Sequence, residues 1–94
     1  MRVRSIRPRD LAIVTAMMVE FDRHLAGMEG RRKTLTIAKT RAELARAGFA
    51  NGKFFKGLIA EDGKDACGYL LYHFGFNSNV RRGSLVVSDI YVRA

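Results

Sequence analysis

The sequence predicts an α+β fold in the order strand, helix, helix, strand, strand, strand. Three observations carry this. The first half holds two stretches with apolar residues at helical spacing, "LAIVTAMMVEFDRHLAG" and "TRAELARAGF". The second half holds three runs rich in aromatic and β-branched residues, "FFKGLIAED", "ACGYLLYHFGF" and "SLVVSDIYVR". Short polar turns, "DGKD" and "NSNVRRG", join those runs, which makes them an antiparallel meander.

Taken in order, "RVRSIR" (Arg2 to Arg7) alternates basic with small or apolar residues, as a short edge strand does, and Pro8 ends it. Asp10 is the expected N-cap of the first helix, and Gly27 its expected C-terminal stop. Ile13, Val14, Met17, Met18, Phe21 and Leu25 fall on one helical face, with the two methionines read as core filler. "MEGRRKTLTIAK" reads as a polar, basic connection. Thr40 and Glu43 stand at capping-box spacing ahead of Leu44, and Gly48 closes a short second helix. In "GYLLYHFGF" both parities are apolar: Leu70, Tyr72, Phe74 and Phe76 on one side, Tyr69 and Leu71 on the other. Such a strand is expected to be central and covered on both faces.

The chain has 94 residues, 48% of them hydrophobic, which fits one small folded domain, residues 1–94, without repeats or linkers. Its formal charge of +8 favours anionic partners. The basic residues concentrate at Arg31, Arg32, Lys33, Lys39, Arg41, Arg46 and Lys53, with no aromatic residue among them before Phe49. Base stacking therefore lacks its platform there, and nucleic acid is not the expected partner. A lone Cys67 makes neither an internal disulfide nor a metal cluster, and it reads as a small buried residue. No metal is expected. No apolar run approaches the roughly 20 residues of a membrane span, and "MRVRSIRPRD" lacks a following signal-peptide core, so a cytoplasmic, membrane-free location is expected.

Five stretches, "IRPRDLAIVTAMMVEF", "TRAELARAGF", "FKGLIAED", "CGYLLYHFGF" and "VVSDIYVRA", stand in the order seen in the N-terminal half of a GCN5-related N-acetyltransferase (GNAT). Within that superfamily the sequence most resembles the diamine acetyltransferases of the spermidine/spermine or thialysine type, and "SDIYV" is the most specific run. The resemblance covers nearly all 94 residues. It implies acetyl-CoA as acetyl donor and a small-molecule amine as acceptor. It places the backbone of Ile90, Tyr91 and Val92 along the pantetheine and thioester. Asp89 is implied as the amine-binding or water-mediated base, and Glu20, Ser88 and Asp89 as amine contacts.

The sequence also departs from the family. The glycine-rich loop that holds the coenzyme A pyrophosphate at a helix N-terminus does not follow Val92 within these residues. The tyrosine that protonates the leaving thiolate is not among them either. A truncated domain without activity of its own is the expectation. Ser88 stands where the diamine enzymes carry an acid, which weakens the polyamine assignment.

Strand geometry puts Ser88, Ile90 and Val92 on one face and Asp89 and Tyr91 on the other. Asp89 has a second reading, as a carboxylate that caps a loop or pairs with Arg82. His73 and Tyr72 read as core packing, Glu20 and Asp22 as solvent-facing acids unless they meet the amine, and Arg81 and Arg82 as solvated. The alternative to an enzyme is a strand-mediated oligomerisation or binding module. "LVVSDIYV" carries no Pro and no Lys to protect an edge, so pairing through this strand, as a homodimer or with a second polypeptide, is expected.

Overall fold

The structure is a computed structural model and describes residues 1–30, 35–49 and 54–93. Arg31, Arg32, Lys33 and Lys53 of the basic segment lie outside the described residues. The chain divides into two compact units, Arg7–Gly52 and Met1–Ile6 with Lys53–Ala94. The first is helical and the second is a sheet, so the predicted α+β order is the observed one.

In the helical unit a 3-10 turn, Pro8–Asp10, leads into α1 (Leu11–Glu29). Asp10 is buried, but it does not cap α1 as expected. Its Oδ2 instead accepts the Arg7 backbone N–H at 2.7 Å, because the turn inserted by Pro8 points the carboxylate backwards. The helix also runs past Gly27. It ends at Gly30, whose φ of 67° is the left-handed geometry a helix stop requires. The buried stripe is Val14, Met17, Val19 and Ala26, with Thr15 and Asp22 beside them. Thr15 donates to the Leu11 carbonyl at 2.6 Å.

The second helix, α2 (Ile37–Leu44), starts earlier than Thr40. Thr36 is its N-cap and accepts the Lys39 N–H, a bond of 3.4 Å. Thr40 is therefore inside the helix, buried, with its hydroxyl unpartnered. Both threonines precede helix-compatible residues, and Thr36 adopts the extended backbone that a cap needs. One turn of π-helix, Ala45–Phe49, follows α2.

The sheet has four strands in the order β1 (Arg2–Ser5), β2 (Lys56–Asp62), β3 (Asp65–Asn77), β4 (Arg82–Val92), each antiparallel to the next. Gly63, with φ of 64°, supplies the positive dihedral of the two-residue β2–β3 turn. Arg4 on β1 reaches Glu61 on β2 through two nitrogens, at 2.7 and 3.4 Å. β3 is internal, as expected, but its faces differ. Ile59, Tyr69 and Leu71 are buried, whereas Leu70 and Tyr72 are half-buried and Phe74 and Phe76 are 66% and 70% exposed. Burial, expected on both faces of β3, is thus found on one only.

Two extra residues interrupt the ladder. Ala60 pairs with Gly68 and Glu61 with Ala66, leaving Cys67 between. Cys67 is half-buried, with Sγ 3.4 Å from the Ala60 carbonyl. Leu71 pairs with Asp89 and Tyr72 with Val87, leaving Ser88 between.

At Gly68 a Cβ atom would sit 2.7 Å from the Tyr91 carbonyl oxygen, a backbone atom that cannot swing away. Gly68→Ala is expected to cost about 1–3 kcal/mol by forcing β3 and β4 apart, read as a lower midpoint in urea unfolding.

Candidate functional site

Residues Ser88 to Val92 occupy the second half of β4, the edge strand of the sheet. The bulge at Ser88 decides how their side chains are used. Regular alternation sends Ser88 and Asp89 to opposite faces; the extra residue turns both toward β3 residues of one parity. Asp89 Oδ2 accepts the Tyr69 hydroxyl at 2.7 Å. Ser88 Oγ lies 2.9 Å from His73 Nδ1, a hydrogen bond whose donor depends on the ring tautomer. Tyr69, Leu71 and His73 share one face of β3, so Ser88 joins Asp89 there instead of Ile90 and Val92.

Asp89 therefore does not pair with Arg82; its observed partner is Tyr69. Burial, and then the hydrogen bond to the Asp89 carboxylate, hold the Tyr69 phenol well above its usual range, so it remains a donor. The Tyr91 ring lies 6.2 Å from that of Tyr69, tilted by 55°.

The backbone of this segment is two-sided. Arg93 N–H bonds the Cys67 carbonyl at 2.8 Å, and the Tyr91 carbonyl faces Gly68. By the two-residue repeat, Asp89, Tyr91 and Arg93 direct their main-chain groups at β3, while Ile90 and Val92 direct theirs at the free edge. No strand among the described residues pairs with that edge.

Glu20 is half-buried on α1, in the helical unit. Asp22 does not face solvent: it is buried, and its Oδ2 accepts the Leu35 N–H at 3.1 Å. Among the described residues no group of three or more His, Cys, Asp or Glu is placed to hold a metal ion, and no helix is long and apolar enough to cross a membrane.

Sequence reasoning missed two features. Tyr69 and His73 gain their roles only once the β3–β4 register is known. Phe54 and Phe55, just before β2, and Lys56, its first residue, line a cavity of about 360 Å3 with His73 and Phe74. The cluster "FFK" beside "YHF" was its one sequence signal.

No protein-family model matches the chain, and no curated protein matches it. Solved structures do. A probable acetyltransferase superposes with a TM-score of 0.75 at 17% identity, over 98% of this chain and 57% of its own. A possible acetyltransferase from Clostridium difficile 630 gives 0.76 at 13% identity, over 98% and 57%. An integron cassette protein from the mobile metagenome of Cole Harbour Salt Marsh gives 0.79 at 18%, over 97% and 55%. The fold is half of a GNAT fold. The chain spans little more than half the length of each of these structures.

The raised phenol has a consequence for stability. Tyr69 contributes stability that is fully present below the ordinary tyrosine pKa of 10.0 and is lost as pH rises above it, because the unfolded chain then ionises and the folded one does not. Tyr69→Phe is expected to lower stability by about 2 kcal/mol at neutral pH. The same variant removes this residue's share of the alkaline loss, which denaturant unfolding at a series of pH values measures.

Proposed function

We propose that this chain supplies the donor-strand half of an acetyl-CoA-dependent N-acetyltransferase acting on a small-molecule amine. The observation that carries the reading is β4 itself: a free edge at Ile90 and Val92 that begins directly after a bulge gathering Ser88 and Asp89. The edge fits a pantetheine arm. Its amides need main-chain donors and acceptors in the strand direction, and Ile90 and Val92 present both. When bound, acetyl-CoA supplies an activated acetyl group as its thioester.

The chain's own residues have the remaining tasks. An outward N–H of β4 polarises the thioester carbonyl. Asp89, held by Tyr69, would take the proton that the amine loses, directly or through a water, as the nitrogen bonds the acetyl carbon and the C–S bond breaks, the departing thiolate taking a proton from solvent. Ser88 and Asp89 contact the amine, and Glu20 is carried as a further amine contact on the resemblance alone. A diamine-type acceptor is supported by the runs "GYLLYHFGF" and "SDIYV", and opposed by Ser88. A cytoplasmic location belongs to the same proposal. So does the absence of turnover by these 94 residues alone, since no glycine-rich phosphate loop follows "SDIYV" among them.

Acetyl-CoA titrated into the nitrogen-15-labelled chain is expected to shift the amides of Ile90, Tyr91 and Val92, with weak affinity. Shifts confined to other residues would overturn the assignment of β4, and tight stoichiometric binding by calorimetry would contradict the dependence on a phosphate loop.

A second reading, pairing through β4 as a homodimer or with another polypeptide, is favoured by the same free edge, with Leu85, Val86, Val87, Ile90 and Val92 all exposed. It predicts self-association in sedimentation at high micromolar concentration, and a clean monomer there would sink it.

A further inference from the structure

The bulge at Ser88 divides the outer edge of β4 into two unequal parts. Along β3 the main-chain groups alternate, and Cys67 faces β4, since its carbonyl accepts the Arg93 N–H. The odd-numbered residues of β3 therefore face β4, and their partners Arg82, Ser84, Val86, Asp89 and Tyr91 point their main-chain groups inward. Partners of the even-numbered residues point theirs outward: Gly83, Leu85 and Val87 before the bulge, Ile90 and Val92 after it. A regular strand bonds every second residue of its neighbour, so none can follow this edge across the change of parity. It can take Gly83 to Val87, or Ile90 and Val92, but not both.

The first part has the features of a pairing edge. No Pro and no charged residue stands between Arg82 and Asp89, although these are the side chains that protect edges. No strand among the described residues pairs with it. Its outward residues carry their side chains on the open face of the sheet, because Gly83, Leu85 and Val87 pair with Phe76, Phe74 and Tyr72. Leu85, Val87, Phe74 and Phe76 are all exposed. Among the described residues, a Cβ at Gly83 would meet only the Gly75 carbonyl oxygen, at 3.8 Å, so the space beside Phe76 is open.

This stretch is complementary to itself. With Leu85 opposite its own copy, an antiparallel register sets Gly83 against Val87 of the second copy, and all three outward residues are paired. Centring on Gly83 or on Val87 instead carries the partners into the turn before Arg82 or into the bulge. On the open face the two Leu85 side chains stand in a row between the two Phe74 rings, and each Val87 takes the room left by Gly83 beside Phe76. On the other face the same register lays Arg82 beside Ser88 of the second copy, one residue from Asp89. Arg82 has no ion-pair partner in its own chain among the described residues, and Asp89 is the only acid after Asp65, so the two copies complement each other in charge there.

We propose that two copies of this chain pair antiparallel through Gly83 to Val87, with Leu85 on the twofold axis, so that each sets its Arg82 against the Ser88–Asp89 bulge of the other. The inference rests on the pairing reading given above, for which it names the partner and the register. Ile90 and Val92 lie outside the paired segment and keep their outward groups, so the dimer and a pantetheine arm use different parts of the same edge.

The test is sedimentation of the full chain at high micromolar concentration, with cysteine cross-linking to read the register. The wild-type chain is expected to be a dimer. Leu85→Lys sets two ammonium groups face to face on the axis and is expected to give a monomer, whereas Val92→Lys, beyond the bulge, keeps the dimer. Both residues are exposed, so both variants are expected to fold, which their amide spectra verify. Arg82→Gln is expected to raise the dimer Kd about threefold, as an exposed ion pair allows. In a Cys67→Ser background, Leu85→Cys is expected to form an intermolecular disulfide on oxidation, because Cα atoms of such opposed residues stand about 5.5 Å apart. Val87→Cys is expected not to, since this register separates its two copies by roughly 13 Å along the strands. Cross-linking at Val87 rather than Leu85, a dimer lost with Val92→Lys but kept with Leu85→Lys, or a Kd unchanged by Arg82→Gln would overturn the proposal and leave pairing through β4 standing. A clean wild-type monomer would overturn both.

Discussion

Everything offered for chemistry on β4 depends on the register in which β3 and β4 are paired, with one residue too many at Ser88. Above the bulge Tyr69 faces Tyr91 and Leu71 faces Asp89; below it Tyr72 faces Val87 and the ladder runs on to Asn77 and Arg82. A one-residue slip in a strand exchanges its faces. The bulge performs that slip locally, so that the serine and the aspartate reach the same face, and β4 changes parity between its two halves. The end of the strand is tied down on the other side of the bulge. Arg93 bonds the Cys67 carbonyl through its N–H at 2.8 Å and the Ala66 carbonyl through its side chain at 3.0 Å.

The same register produces a sheet with unequal faces. One face keeps Ile59 and Leu71 buried, at 1% and 4% exposure; the other leaves Phe74, Phe76, Leu85, Val87, Ile90 and Val92 open. A shallow apolar hollow of about 180 Å3, lined among others by Val3, Leu58, Leu70, Ile90 and Val92, sits on the open side. Contiguous apolar surface of this kind marks a place of contact in soluble proteins. The chain spans 57% of the length of the probable acetyltransferase on which it superposes, and the outer edge of β4 pairs with no strand among the described residues.

The helical unit shows how close local signals come to being sufficient. Both helices lie where periodicity puts them, yet three of their boundary residues act differently. Asp10 satisfies Arg7 N–H because Pro8 starts a tight turn before α1. Gly27 continues the helix, and Gly30, with φ of 67°, ends it. Thr36 caps α2 and Thr40 is buried within it, although the Thr40–Glu43 spacing has the form of a capping box. Asp22, an acid on a helix with exposed neighbours, is buried because a loop residue thirteen positions away, Leu35, donates its N–H to it.

The sequence by itself determined the α+β order, the two helices, the three-strand meander and the family resemblance of "SDIYV", because these depend on the spacing of apolar residues and on turn chemistry within short windows. Only the tertiary structure decided what those residues touch. Tyr69 is twenty positions from Asp89, His73 fifteen from Ser88, and Phe54 comes beside Phe74 where a strand ends. Such neighbours are set by strand register and by a single inserted residue, and neither leaves a trace in the composition or periodicity of the strands that it joins.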